Sequence, residues 1–266
     1  MAQFIQALSR FPTGHLVDLG AGHGIFARIA ADLGWQVTAV DVRDVRFPDD
    51  PRVRWVTCDV RDFDDYEDAT VVACLGLWYH LTLPDQLALI RRIAPRPLVM
   101  DTHLAQVDLA DHPRHGRLLS RIVHEDGYTG RLYRESGKAE QATASWGNAA
   151  SFWPTPDSLE RQLTGAGYDV LERLMPRVAR DREYVVARAL DGDARTRTDD
   201  LVTRYNPLRG PGDAAPQPGP APGPARRARR LLGAVAHGAN RCSVQWSRGM
   251  WRRVSGRGPR PRKGEA

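Results

Sequence analysis

The chain has 266 residues, 42% hydrophobic and 26% charged, with a formal net charge of +6. That length suits one sizeable α/β domain or two small ones. The longest apolar run, Ala69 to Trp78, is far shorter than the roughly 20 residues that cross a bilayer, and the opening MAQFIQALSRF lacks the regions of a signal peptide, so a cytoplasmic protein is expected.

Chain order supplies the architecture. HLVDLG (15–20) reads as a strand and GIFARIAADLG (24–34) as a helix, with WQVTAVDV (35–42) a second strand. PRVRWVTCDV (51–60) and ATVVACLGL (69–77) are a third and fourth strand, LPDQLALIRRIA (83–94) a helix and RPLVMDTH (96–103) a fifth strand. Strands that are apolar throughout and alternate with helices imply a parallel sheet covered on both faces. From 104 to 151 the periodicity breaks down, and this stretch is expected to cap a substrate pocket, with a short N-terminal helix (2–10) supplying the rest of the lid. TPDSLERQLTGAG (155–167) then reads as a helix capped by Thr155 or Asp157. YDVLERLMP (168–176) and REYVVARAL (182–190) read as an antiparallel hairpin at a sheet edge.

Beyond residue 190 the composition changes. Residues 191–266 hold 16 of the 38 basic and 6 of the 32 acidic residues, so this part is +10 and residues 1–190 are −4. A Pro/Gly-rich linker (191–225) and a basic, disordered tail (226–266) are expected. Solvated disorder, an anionic membrane surface or nucleic acid, and a partner helix at 226–237 are the readings of the tail. Cys58, Cys74 and Cys242 form no CxxC pair and no even framework, so structural thiols are expected.

The chemistry-bearing segment is Val17-Asp18-Leu19-Gly20-Ala21-Gly22-His23-Gly24. Glycines at alternate positions between a strand and a helix let a ligand approach a sharp turn. A dinucleotide fingerprint would have glycine where Ile25 stands. An acidic residue before the glycines suits a cationic ligand better than a pyrophosphate. Asp41 ends the second strand, where its oxygens can accept ribose hydroxyls, and Asp59 ends the third, where it can accept from an adenine amino group. All lie at the carboxyl ends of parallel strands, the rim where open α/β sheets bind ligands.

VDLGAGHG, VTAVD, CDV and ACLGLWYHL, in this order and spacing, resemble the class I S-adenosylmethionine-dependent methyltransferases over residues 14–190. The resemblance implies a Rossmann-like, seven-stranded, mostly parallel sheet with the last strand inserted antiparallel and helices on both faces. It implies cofactor contacts from Asp18, Gly20, Gly22, Asp41, Asp59 and Leu75, to which Ala21, Gly24, Val42 and Val60 are added as their neighbours. The WYHL element is locally similar to the enzymes that carboxymethylate the wobble uridine of transfer RNA.

His80 follows the fourth strand and is the candidate base, since an imidazole can accept a proton at neutral pH. Packing against the following helix is its structural alternative. Tyr79 is a candidate for orienting the acceptor. Candidates for acceptor contacts are Tyr128, Arg131, Tyr133, Arg134, Trp146 and Trp153. His103, His112, His115 and His124 with Asp101 and Asp111 show no metal-ligand spacing, and no metal is expected. The expected activity is methyl transfer to an oxygen or nitrogen of a small molecule or saccharide. The rivals are a transfer-RNA-modifying enzyme holding RNA with its tail, a binding protein without turnover, and an NAD-dependent oxidoreductase.

Overall fold

The computed structural model describes residues 1–106, 116–136, 145–174, 182–189 and 242–245. Five parallel strands form its centre: β1 (His15–Leu19), β2 (Gln36–Asp41), β3 (Val53–Thr57), β4 (Val71–Leu75) and β5 (Leu98–His103). The hairpin of β9 (Tyr168–Leu174) and β10 (Arg182–Ala189) completes one side, with β10 antiparallel to both β5 and β9. The seven run β3-β2-β1-β4-β5-β10-β9. This is the mostly parallel sheet with an inserted antiparallel strand that the sequence resemblance implies.

Each central strand sends alternate side chains to opposite faces, and both faces are covered. On one, Val17, Leu19, Val72 and Cys74 pack with Leu89, Ile90 and Ile93 of α3 (Leu83–Ile93) and with Leu159 and Leu163 of α4 (Pro156–Gly165). On the other, Leu16, Ala39, Val71 and Ala73 meet Ala27 and Ala30 of α2 (Ile25–Asp32). Burial on both faces is why these strands read as continuous apolar runs. The helix starts are chemically marked. The Thr82 and Thr155 hydroxyls each accept a backbone N–H, from Asp85 and Ser158, and a proline lies in the first turn of α3 and α4, where it costs no hydrogen bond.

The structure departs from expectation in four places. The first helix, α1 (Ala2–Leu8), buries Phe4, Ala7 and Leu8 in the α2-side core, with Phe4 edge-on to Phe26 at 5.0 Å. Phe4, Ala7 and Leu8 face the core while Ile5 is exposed, and none of them lines the site cavity. The 104–151 region contains strands: β6 (Leu119–Glu125), β7 (Tyr128–Arg134) and β8 (Ala150–Pro154) form a separate antiparallel sheet in that order. Third, β11 (Ser243–Gln245) pairs antiparallel with β3 and makes an eighth strand at the sheet edge, inside the segment expected to be disordered.

Fourth, that pairing sets Ser243 opposite Thr57 and so brings Cys242 to Cys58, with which it forms a disulfide. Cys74 alone is a free buried thiol among the described residues. The linker 191–225 and the rest of the tail, including the 226–237 helix, lie outside the described residues, as do His112, His115 and Asp111. No helix among the described residues is long and apolar enough to cross a membrane.

Candidate active site

A cavity of about 330 Å³ opens at the carboxyl ends of β1 to β4, within the size range of small-ligand sites. Its floor is the loop after β1. The N–H groups of Gly20 and Ala21 both donate to the Val40 carbonyl, at 2.8 and 3.0 Å, which ties the loop to β2. Gly22 and Gly24 have φ of +55° and +66°, a region side-chain-bearing residues avoid. Their reasons differ. A Cβ on Gly24 would overlap the Trp55 ring, so this glycine serves packing. A Cβ on Gly22 would meet only the Gly20 carbonyl, at 4.0 Å, and Gly22 lines the cavity.

Two carboxylates flank this loop. Asp41, at the end of β2, accepts the Gly22 N–H on Oδ2 and the Arg43 N–H on Oδ1, both at 2.9 Å. Asp18 lies beneath, 2% exposed, and its Oδ2 has no hydrogen-bond partner. Burial, and then the Asp41 charge, push its carboxyl up to about 7. An unpaired buried carboxyl beside a second one is a site whose electrostatics a cation would satisfy.

Asp59, just beyond β3, is engaged by Arg61. Its Oδ1 accepts from the Arg61 backbone N–H (3.0 Å) and Nε (2.9 Å), and its Oδ2 from Nη2 (2.5 Å). The same guanidinium donates to the Trp146 carbonyl at 3.2 Å and to Asn148 Oδ1 at 3.3 Å. Arg61 therefore joins the end of β3 to the loop before β8.

On the opposite wall, the turn Trp78–His80 is set by a buried polar chain. The Trp78 indole N–H donates to Gln162 Oε1 at 3.1 Å and Gln162 Nε2 donates to Gln86 Oε1 at 3.0 Å. Gln86 Nε2 donates in turn to the Trp78 and Phe152 carbonyls at 2.9 and 2.7 Å. His80 emerges from this turn with its Nδ1 3.1 Å from Glu135 Oε1. The His80 side chain is 19% exposed and that of Glu135 only 2%. Glu135 also accepts from the Ser151 hydroxyl (2.7 Å) and the Ser145 N–H (3.3 Å).

Of the residues expected to bind cofactor, Gly20, Gly22, Asp41, Val42, Asp59, Val60 and Leu75 line the cavity, whereas Asp18, Ala21 and Gly24 stand behind its wall. His80 and Tyr79 line it too. Among the acceptor candidates, Trp146 alone lines the cavity, with Arg43 5.1 Å from its ring centre. The others are placed elsewhere by packing. Trp153 is 1% exposed, stacked between His103 (4.5 Å) and Tyr133 (5.0 Å), with its N–H on the Tyr79 carbonyl. Arg131 donates to the Ser120 carbonyl between β6 and β7, Tyr128 packs under Arg161 of α4, and Arg134 is exposed.

Three further polar neighbours of the cavity residues had no sequence signal. Glu135 meets His80 across 55 positions, and Arg61, a neighbour of Asp59, reaches Asn148 across 87. Arg182, at the start of β10, forks onto Asp101 at 3.0 and 2.6 Å and lies 5.4 Å from the Tyr79 ring centre. Burial raises the Tyr79 phenol's pKa and Arg182 opposes that. No cluster of metal-ligating side chains occurs among the described residues.

A strand order of β3-β2-β1-β4-β5-β10-β9 with a glycine loop and strand-end carboxylates defines a class of Rossmann-like transferase. The chain matches the methyltransferase-domain family over residues 1–173 and belongs to it. The N-terminal domain of EvdMO1 with S-adenosylhomocysteine bound is similar in fold, with TM-score 0.50 and 20% identity over 71% of this chain and 79% of that one. The Burkholderia thailandensis 1,6-didemethyltoxoflavin-N1-methyltransferase scores 0.48 at 19% identity (71% and 79% covered). CcbJ methyltransferase from Streptomyces caelestis scores 0.49 at 17% (71% and 88%). No curated protein matches the chain significantly.

Proposed function

We propose that the chain transfers a methyl group from S-adenosylmethionine to an oxygen or nitrogen of a small-molecule or saccharide acceptor. The observation that carries this reading is the pairing of the open Gly22 backbone with the buried Asp18 carboxyl, whose Oδ2 has no hydrogen-bond partner. A dinucleotide's pyrophosphate would be repelled there, and an ammonium or sulfonium attracted. The residues present fit this cofactor. The glycine loop would hold its amino-acid end with Asp18 behind it as countercharge, Asp41 its ribose, and Val42, Asp59 and Val60 its adenine.

When bound, the cofactor supplies a methyl already activated on sulfonium. The protein's own part is then to hold the acceptor in line, where effective molarities can reach ~10⁵ M, and to remove its proton. His80 is the residue on the cavity wall placed to do so, and Trp146 and Leu81 enclose the same space.

Calorimetric titration of the full chain with S-adenosylhomocysteine, and separately with NAD, tests the reading. Micromolar binding of the first and none of the second is expected. Tighter binding of NAD would overturn it.

A further inference from the structure

The His80 imidazole is held from one side by a carboxylate that the sequence offers no reason to associate with it. Glu135 follows β7, 55 residues along the chain, yet its Oε1 lies 3.1 Å from His80 Nδ1. The carboxylate is fixed in turn by the Ser151 hydroxyl and the Ser145 N–H. The backbone at His80 is held as well: Asn148 Nδ2 donates to the His80 carbonyl at 2.8 Å. With Nδ1 turned to Glu135, Nε2 is the ring nitrogen left for the cavity that His80 lines.

Resting on the methyl-transfer reading above, we propose that Glu135 is a positioning residue for catalysis: it holds the neutral His80 ring with its proton on Nδ1, and so presents the Nε2 lone pair to the acceptor. A carboxylate accepts hydrogen bonds and cannot donate one when ionised, so the Nδ1 it faces must carry the proton. A hydrogen bond at one ring nitrogen fixes the role of the other.

The acceptor's lone pair forms the bond to the methyl carbon, and the carbon–sulfur bond breaks with its electron pair left on sulfur. The acceptor's X–H proton passes to Nε2. The resulting imidazolium lies against the Glu135 carboxylate, which is shielded from water and so opposes its charge strongly. The pair is restored when Nε2 releases its proton to solvent. An aliphatic contact at Nδ1 would give neither the tautomer nor the countercharge.

The test is nitrogen NMR of the full chain labelled with ¹⁵N-histidine and saturated with S-adenosylhomocysteine. His80 is assigned from the signal lost in His80→Gln. The expected result is a neutral imidazole protonated on Nδ1 in the wild type. Glu135→Gln, whose amide can either donate or accept, is expected to give a mixture of tautomers at unchanged S-adenosylhomocysteine affinity. Its kcat should fall by roughly 10- to 100-fold, less than the ~10²–10⁴-fold that a general base itself contributes, with KM for S-adenosylmethionine unmoved. Glu135→Asp should recover part of that loss.

A wild-type His80 protonated on Nε2 would overturn the proposal, and this result needs no variant to fold. An unchanged tautomer and kcat in Glu135→Gln would overturn it too. Failure of the wild type to bind S-adenosylhomocysteine would instead remove the functional reading, a result calorimetry separates from the tautomer.

Discussion

Asp18 links proton and ligand. Its folded pKa of about 7 stands well above the ordinary carboxylate value of 3.8. A group raised in this way stabilises the fold fully below about pH 4, and that contribution is lost as pH rises through about 7. The ligand-free protein should therefore become less stable between pH 4 and 8, and Asp18→Asn should flatten the profile in urea unfolding. A cationic ligand favours the ionised form. Binding of S-adenosylmethionine near pH 6 should thus release a proton, seen as a calorimetric heat that depends on the buffer's ionisation enthalpy. A heat independent of buffer would remove Asp18 from the site.

The glycines make a paired prediction at the same scale. Gly24→Ala must accommodate a Cβ that would overlap Trp55 at a left-handed φ, and should destabilise by about 2–4 kcal/mol on the scale of overpacking and left-handed strain. Gly22→Ala should cost about 1–2 kcal/mol of stability for its left-handed φ and remove most S-adenosylhomocysteine affinity, since Gly22 lines the cavity. Equal losses of stability in the two would contradict this division. For His80→Ala, a fall in turnover on the order of 10²-fold is expected if His80 takes the acceptor's proton. Retained turnover would leave it a packing residue.

Among elements, the turn carrying Tyr79 and His80 owes its place to Gln86 of α3 and Gln162 of α4. Gln86 is fully buried, and its amide serves two carbonyls and one side chain. Gln86→Leu leaves those partners unsatisfied in a dry interior and should destabilise by about 2–5 kcal/mol in denaturant titration. A near-neutral effect would mean that water replaces the amide there. The central strands were legible in the sequence because burial on both faces leaves unbroken apolar runs such as VVACL in β4. Strands β6 and β7 were not, because they are half-exposed and carry Arg, His and Glu among their apolar residues. The same contrast holds in the site. Asp18, Asp41 and Asp59 follow from strand ends alone, whereas the meetings of Glu135 with His80 and of Arg182 with Asp101 depend on which segments meet in space, and no local pattern records that.

At the scale of the whole molecule, a short strand from within the basic tail joins the central sheet. Residues 243–245 close the β3 edge, and Cys242 is bonded to Cys58 across 184 positions. An exposed strand edge invites pairing with other chains, and β11 occupies this one. Peptide mapping of the unreduced full chain should recover a cross-linked Cys58–Cys242 peptide and an unlinked Cys74. Reduction should lower unfolding stability by about 2–4 kcal/mol, the usual range for removal of one cross-link. Three free thiols in the unreduced protein would refute the pairing.

Arg61 also bears on how the two ends of the cavity communicate. Its guanidinium is shared between Asp59 and the loop carrying Trp146 and Asn148, and Asn148 reaches the carbonyl of His80. On the proposed reading, an adenine amino group at Asp59 would compete for the oxygens that hold Arg61, so filling that end would alter the loop carrying Trp146 and Asn148. Thermodynamic reciprocity then requires that whatever factor nucleoside occupancy imposes on acceptor affinity, the acceptor imposes on the nucleoside. Arg61→Ala should bring that factor toward one, making the two ligands bind as strangers.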